Sequence, residues 1–568
     1  MDTNKEEILD KKLSDLEEQR KEDEVKKQAT TTGWPYINLK SFPISQDAIK
    51  VIKAEQAKAL QAVCFLYTNE ELRLASTNPD NPQIGQLKKE LEDKYHAHLK
   101  IYLTSQASLN IALAIYDKIP IIEQIEGVNI SAENLNSFNE NLSDLKTLQT
   151  LLNQTNVTEM ISLIIAAALK FNASDIHIET EEQAVKVRLR IDGVLQQAAT
   201  IPAENWHKIS SRIKLLAELK LNVTNQPQDG RFTINLSNDK IDVRVSTIPS
   251  TYGESIVMRL LRASSVGLQF EALGLRGKAF NDLANEVTKP NGMIITTGPT
   301  GSGKTTTLYA ILNKLNQADT KIITLEDPIE YKLPGIVQSQ VENSDGDFDN
   351  SSANPGGIER KNKYTFAKGL RAILRQDPDI VMVGEIRDLE TADTAINAAL
   401  TGHLMLSTLH TNSAAGTIPR LLSMGVQAFL LAPSLNAIIG QRLVRKLCQD
   451  CKQETEIDNK TLTLVLNALN SISPQSGAKP DNLSNLKFFS AKGCEKCGHL
   501  GYKGRIGLYE ILTMNQKIEK IILSANISEY DIEKIAIEEG MVTMLQDGIL
   551  KALDGITSLD EVLEKTRE

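Results

Sequence analysis

Apolar residues along this chain fall into two patterns, and the switches between them mark the elements. Residues 293–297, Met-Ile-Ile-Thr-Thr, form a short apolar and β-branched run of the kind buried on both faces of a parallel sheet. From 306 to 315 the apolar residues instead recur at helical spacing. The exchange repeats downstream: apolar runs at 322–325, 380–383 and 404–409 read as strands, and 278–287, 366–376 and 389–400 read as helices. Such alternation predicts an α/β fold with a parallel sheet.

Upstream the pattern differs. Residues 1–30 are dominated by Lys, Glu, Asp and Gln, with a weak heptad-like placing of Ile8, Leu9, Leu13 and Leu16, and read as a charged arm, helical or disordered. From 34 to about 116 the composition becomes globular. An apolar run at 59–67 passes into 72–76, then a turn at 78–82, an amphipathic helix and a strand near 99–103, which together predict a small α/β module. Cys64 lies inside an apolar run and reads as a buried thiol. Residues 120–155 are rich in Asn, Ser, Gln and Glu without a sustained apolar period, and read as a linker, part-helical at most. An apolar helix at 157–171, the run 173–179 and the alternating 185–191 before the Asp192-Gly193 turn then open a strand-rich α/β domain. The expected division is an arm at 1–30, a module at 31–118, a linker at 119–155, a domain at 156–265 and a larger domain at 266–568.

Composition narrows the class. With 568 residues and 41% hydrophobic content, three to five packed domains are expected. The start has no basic-then-apolar signal pattern, and the longest apolar run, 161–169, is too short to span a bilayer. Net charge is −10, from 73 acidic and 63 basic residues, which disfavours a general electrostatic hold on nucleic acid. Five cysteines, four of them in C-x-x-C pairs, suit a metal site in a reducing compartment better than a disulfide framework.

The candidate chemistry clusters in the larger domain. Gly298-Pro299-Thr300-Gly301-Ser302-Gly303-Lys304-Thr305 fits G-x-x-x-x-G-K-[ST] at every defined position, between a predicted strand and a predicted helix that begins near Thr306. Such a loop points backbone N–H groups at a polyphosphate; Lys304 reaches the β- and γ-phosphates and the Thr305 hydroxyl holds Mg²⁺. Two more strands end in carboxylates, Glu326 in Glu-Asp-Pro-Ile-Glu and Glu385 in Val-Gly-Glu-Ile-Arg-Asp. Either end sits where open parallel sheets bind ligands, so one of the acidic residues Glu326, Asp327 and Glu330 is placed to orient water, and Glu385 to approach Mg²⁺ through water. His403 and His410 bracket a further strand, with His410 at its carboxyl end; structural histidines are commoner at such positions.

The 156–265 domain carries arginines on strands and beside turns: Arg188, Arg190, Arg231, Arg244, Arg259 and Arg262. Most surface arginines are solvated, yet the planar guanidinium fork also grips phosphate. Cys448, Cys451, Cys494 and Cys497 form two knuckles within about 445–505, a tetrahedral zinc set with no open position, although the interval between the pairs is wider than a simple ribbon has. The acidic loop at 342–363 lacks the pattern of an EF-hand and reads as a surface loop.

In this order, the phosphate loop, Glu326-Asp-Pro-Ile-Glu, Leu374-Arg-Gln-Asp-Pro-Asp, Val383-Gly-Glu-Ile-Arg-Asp, Thr401-Gly-His and Ser407-Thr-Leu-His-Thr-Asn resemble the secretion ATPase superfamily. With Ala173-Ser-Asp-Ile-His-Ile-Glu, Gln228-Asp-Gly-Arg and the four cysteines, the chain is similar to type II secretion and type IV pilus assembly ATPases over about 155–568. The resemblance implies a RecA-like ATPase domain preceded by a PAS-like domain. It implies a cytoplasmic homohexamer, peripheral at the bacterial inner membrane, that hydrolyses ATP with Mg²⁺ and acts through a membrane platform protein, and so indirectly on pilins. Carried onto this chain, Lys304, Thr305 and Thr306 bind nucleotide, Glu326 is the base, Glu385 the Walker B acid, His403 and His410 the histidine box, and Arg231 and Arg244 the γ-phosphate arginines. Zinc is implied at the four cysteines. Assembly is favoured over retraction by the tetracysteine insert and the N-terminal module; type II secretion is the near alternative. A nucleic-acid motor, which would show DNA-stimulated turnover, and a nucleotide-gated scaffold without turnover complete the alternatives. The 342–363 insertion is longer than the family pattern leads one to expect, and the N-terminal module lacks the repeats of relatives that bind cyclic di-GMP.

Overall fold

The computed structural model describes the chain except for residues 1–18, 41, 50, 69–70, 96, 119–127, 130–141, 143, 154, 156, 237–239, 263–268, 342–363, 525–526 and 568. The 342–363 insertion, the heptad-like residues of the arm and most of the expected linker therefore lie outside the described residues. The chain divides into two compact units, 1–125 and 126–568.

In the first unit, β1 (Ala62–Tyr67) pairs antiparallel with β2 (Glu71–Ser76), which pairs parallel with β3 (His98–Leu103). Helices Pro82–Tyr95 and Gln106–Lys118 bury Ile84, Leu87, Leu91, Leu109 and Ala112 against Phe65, Leu72 and Leu99 of this sheet. Cys64 is buried there, and burial pushes its thiol up to about 12. Residues 19–32 of the charged arm are helical, and Glu22 accepts hydrogen bonds from the Tyr36 and Ser105 hydroxyls.

The second unit holds two seven-stranded sheets. In the first, β4 (Val128–Asn129), β5 (Ala173–Thr180), β6 (Ala184–Ile191), β7 (Val194–Pro202), β8 (Gln228–Asn235), β9 (Lys240–Ser250) and β10 (Gly253–Arg262) lie in the order β4-β8-β9-β10-β5-β6-β7. All its ladders are antiparallel except β4 with β8. The alternation read at 185–191 is observed as buried Val185, Val187, Leu189 and Ile191 against outward Lys186, Arg188 and Arg190.

Within the stretch read as connecting chain, Leu145–Leu152 is a helix capped by Asp144, which accepts from the Thr147 N–H at 2.8 Å. Leu148 and Leu152 are buried in the core of this sheet. Gln149 completes the edge of β7 by donating to the Thr200 carbonyl at 2.9 Å and accepting from its N–H at 2.6 Å. Two turns are too short for a sustained apolar period in a polar neighbourhood, which is why the sequence shows a part-helical linker there but not the buried face of this helix.

The second sheet comprises β11 (Gly292–Thr297), β12 (Ile322–Glu326), β13 (Val337–Gln340), β14 (Ile380–Val383), β15 (Leu404–Leu409), β16 (Leu435–Leu447) and β19 (Tyr502–Thr513), ordered β13-β12-β14-β15-β11-β16-β19. Between β16 and β19 in the chain, β17 (Lys452–Thr455) and β18 (Phe488–Ala491) form a separate antiparallel pair. Ladders from β13 through β16 are parallel, and only β19 runs against its neighbour. β11, β12, β14 and β15 are buried at every position, as continuous apolar runs require of strands covered on both faces. Helices Lys304–Leu315 and Leu389–Leu400 belong to two separate core clusters that share these strands, so the sheet is sandwiched. This is the expected α/β, RecA-like layout, with all the motif-bearing strands pointing their carboxyl ends one way.

Candidate functional site

β11 delivers the chain into the phosphate loop, and two glycines fix how closely that loop can lie on β16. Gly298 has φ +145°, and a Cβ there would come within 2.3 Å of the Gln441 carbonyl oxygen. Gly303, at φ +90°, would press on the Gln441 side-chain amide at 2.8 Å. Below the loop, the Thr307 hydroxyl donates to that same side chain's Oε1 at 2.8 Å, pinning the first turn of helix Lys304–Leu315 to β16. The helix N-terminus therefore faces the loop with its amides unspent, the arrangement that attracts anions.

Lys304 is only 8% exposed, and its Nζ donates to the carbonyls of Gly298 at 2.8 Å and Pro299 at 3.2 Å. Burial lowers its pKa, with Glu385 acting in the opposite direction. The ammonium is thus folded onto its own loop, beside the space a phosphate would take.

That space is part of a cavity of about 980 Å³. Residues Pro299, Thr300, Gly301, Ser302, Gly303, Lys304, Thr305 and Thr306 form one wall, and Glu326, Glu385 and His410 stand at the ends of β12, β14 and β15. The structure brings these three together as parallel-sheet geometry dictates. His403, at the other end of β15, is not in the cavity; its Nδ1 lies 3.1 Å from the Ala398 carbonyl.

The two carboxylates differ in setting. Glu326 is 3% exposed and accepts from the Tyr309 hydroxyl, from Thr324 Oγ1 at 2.6 Å and from Gln338 Nε2 at 3.0 Å. Burial and the adjacent Glu326 push the Tyr309 phenol well above its usual range, so it remains a donor. Glu385 is more open, its side chain 15% exposed, 2.6 Å from Arg387 and 3.5 Å from His410 Nε2. Burial, then the Lys304 ammonium, lowers the His410 pKa against the pull of Glu385.

A further side of the cavity comes from the antiparallel sheet, and from other arginines than the two preferred on sequence. Arg190 and Arg259 line it, both held by the buried carboxylate of Asp175, at 3.4 Å and 2.9 Å. Arg244 instead donates to the Ile329 carbonyl at 2.7 Å and approaches Glu330 at 3.4 Å, and Arg231, opposite it in the β8–β9 ladder, is exposed outside the cavity. Arg188 pairs with Glu179, and Arg262 donates to the Ala168 and Leu169 carbonyls at the end of helix Val157–Lys170. Strand periodicity puts Arg188 and Arg190 on one face, but which of them meets the phosphate loop depends on how the two sheets pack. Arg442, Arg445 and Arg505, from β16 and β19, also line the cavity and carried no recognisable motif.

The four knuckle cysteines come together, all four sulfurs lying within 4.8 Å of one another. The pairs Cys448–Cys494 and Cys451–Cys497 are 3.9 Å apart and Cys494–Cys497 3.7 Å, with no disulfide among them. Sulfurs at the corners of a tetrahedron with metal bonds of about 2.3 Å stand roughly 3.8 Å apart, so the donor set fits zinc. The wide interval closes because β17 and β18 zip Lys452 against Ala491, and helix Asn459–Asn470 is bulged out and buries Val465 and Leu469. Cys497 Sγ accepts N–H groups of Cys494 and Gly501, both at 3.2 Å; although burial opposes it, these bonds favour the thiolate and the pKa falls to about 7.

A glycine-shaped phosphate loop after an interior strand of a parallel sheet, with carboxylates at the ends of two further strands on the same edge, defines a P-loop nucleoside triphosphatase. Residues 150–564 match the family described as Type II/IV secretion system protein, and the chain belongs to that family. The type IV pilus assembly ATPase PilB of Myxococcus xanthus is 36% identical over 98% of this chain and 92% of its own length. The type II secretion system protein E of Aeromonas hydrophila is 43% identical over 72% of this chain and 76% of its own. Among solved structures, the Legionella pneumophila ATPase DotB aligns with a TM-score of 0.49 and 21% identity over 71% of this chain and 94% of that one.

Proposed function

We propose that this chain hydrolyses ATP as a ring of six identical subunits and drives assembly of a type IV pilus. The observation that supports this over the alternative, type II secretion, is the match to the pilus assembly ATPase of Myxococcus xanthus, which runs through the N-terminal unit to cover 98% of the chain. Deleting the gene in its own host is expected to remove surface pili while leaving exported enzymes in the medium. Intact pili with loss of exported enzymes would assign the chain to secretion.

The roles follow from the cavity. Backbone amides from Gly298 to Thr306 cradle the polyphosphate, and Lys304 turns from its two carbonyls to the β- and γ-phosphates. Thr305 and Glu385 offer the hard oxygen donors that suit Mg²⁺, which neutralises phosphate charge when bound. Glu385, open to the cavity and paired with His410, takes the part of water-orienting base. Glu326, the base expected from the sequence, has its oxygens occupied by three donors and anchors the wall. Arg190 and Arg259 reach the phosphates from within the chain; Arg231 and Arg244 are left for a neighbouring subunit.

The division into an arginine-bearing domain at 156–265 and an ATPase domain at 266–568 belongs to this reading. So do a cytoplasmic location at the inner membrane and a platform-protein partner, with no nucleic-acid substrate. Among the described residues no helix is long and apolar enough to cross a membrane.

Zinc at Cys448, Cys451, Cys494 and Cys497 is structural in this reading. Metal analysis of reduced protein is expected to give about one zinc per chain, and Cys451→Ser to lose it with a lower melting temperature. A well-folded, metal-free wild-type protein would rule the site out.

A further inference from the structure

A buried carboxylate outside the nucleotide cavity has no part in the chemistry above. Glu510 lies on β19 directly opposite Gly440 of β16, one residue from the Gln441 that floors the phosphate loop. It is 4% exposed. A Cβ on Gly440 would come within 2.5 Å of Glu510 Cγ, so the glycine is what makes room for this side chain. Its two oxygens go to different segments. Oε1 accepts the Ala414 N–H at 2.6 Å, in the turn that follows the His410 strand, and Oε2 accepts the Met544 N–H at 3.3 Å, at the first residue of helix Met544–Leu553.

The turn is joined in the other direction to the phosphate loop. Thr297, immediately before Gly298, places its hydroxyl 2.6 Å from that of Thr411 and accepts the Thr411 N–H at 2.9 Å. The Thr411 hydroxyl in turn meets Thr417 at 3.0 Å, and the Ser413 hydroxyl donates to Glu529 at the start of helix Glu529–Glu538. Hydrogen bonds and the backbone of 411–414 together therefore connect the base of the phosphate loop to two C-terminal helices.

We propose that Glu510 is a positioning residue that ties the turn after His410 to helix Met544–Leu553, so that a nucleotide-dependent shift of the turn is passed to the C-terminal helices. The proposal rests on the ATPase reading for its purpose, but the tie itself can be measured with bound nucleotide alone. Burial, opposed by its two amide donors, pushes Glu510 up to about 7, and the charged groups bearing on it, Glu533 and Glu529, push the same way. The turn 411–416 has no charged side chain, and the charged residues of β16 are Arg442, Arg445 and Lys446, two or more positions from Gly440. Asp547 and Lys551 of the Met544 helix bind each other, with Asp547 accepting the Tyr509 N–H and Lys551 donating to the Gly507 carbonyl. The carboxylate form is the better acceptor for both amides, so the tie tightens as pH rises through neutrality. Its folded pKa lies above the unfolded value, so native stability from this group is complete at acid pH and is lost as pH rises through about 7.

The test compares full-length wild type with E510Q, and with Glu510→Asp should the amide variant misfold. Hydrogen exchange at the Ala414 and Met544 amides is followed with and without the non-hydrolysable analogue AMP-PNP. In wild type both amides are expected to respond to nucleotide; in the variant Ala414 still responds and Met544 does not. Turnover should fall roughly tenfold with KM changed less than about twofold, a coupling of ordinary allosteric size. The limb of the wild-type rate profile near neutrality should flatten in E510Q. Equal responses at both amides in E510Q, or an unchanged pH profile, would overturn the proposal. Wild type that binds AMP-PNP without hydrolysing ATP would sink the ATPase reading, while the exchange data still decide the tie.

Discussion

Lys304→Ala is expected to leave the fold intact and to abolish measurable ATP turnover. In the free protein the lysine contributes only two hydrogen bonds to its own loop, to the Gly298 and Pro299 carbonyls, and the loop shape is set independently by Gly298 and Gly303 over Gln441. With nucleotide bound the same ammonium meets phosphate oxygens. Charge-assisted hydrogen bonds of this kind are worth about 1.5–3 kcal/mol each, so losing two weakens binding roughly 10²- to 10⁴-fold before any effect on the transition state. Because the side chain is already desolvated, most of the cost of burying its charge is met before nucleotide arrives, and the full attraction is available to the phosphates. The measurement is nucleotide affinity by calorimetry together with phosphate release, with a melting curve as the control for folding. Turnover at the wild-type rate would remove the phosphate loop from the mechanism.

How far the sequence alone leads depends on whether a feature is local. The phosphate loop was legible because strand, glycines, lysine and helix are contiguous, and their geometry follows from backbone sterics. The places of Glu326, Glu385 and His410 were legible one step further out, since a parallel sheet sends all its carboxyl ends to one edge. What those carboxylates meet was not. Nothing in Glu326-Asp-Pro-Ile-Glu says that Tyr309, Thr324 and Gln338 will occupy it, because Tyr309 comes from the phosphate-loop helix and Gln338 from β13. The arginines show the same limit more sharply. Strand alternation identifies outward arginines, but only the packing of one sheet against the other selects Arg190 and Arg259, and Asp175 then fixes both. The cysteine knuckles were legible as pairs, while their meeting depended on a β17–β18 ladder whose strands are four residues each.

This separation of the two carboxylates gives the second large effect. Glu385→Gln is expected to keep ATP binding and lose turnover by roughly 10²- to 10⁴-fold, the usual contribution of a positioned base. Glu326→Gln is expected to lose turnover as well, for a different reason. Its carboxamide has one acceptor oxygen where the wall uses two: kept toward Thr324 and Gln338, which share Oε1, it sets the NH₂ against the Tyr309 hydroxyl, and turned toward Tyr309 it sets the NH₂ against the NH₂ of Gln338. A buried mismatch of this kind costs about 1–3 kcal/mol, so the variant should melt earlier and its nucleotide affinity should fall along with its rate. Tyr309→Phe separates the two accounts. If Glu326 acts by anchoring the wall, removing the phenol that donates to it should reproduce part of the Glu326→Gln defect, in stability and in KM together. If Glu326 is instead the group that takes the proton from water, Tyr309→Phe should leave KM and stability nearly untouched, while Glu326→Gln alone eliminates turnover with binding intact. The geometry favours the first outcome: a carboxylate already accepting from three side chains has little left to offer water, whereas Glu385 faces the cavity between Arg387 and His410.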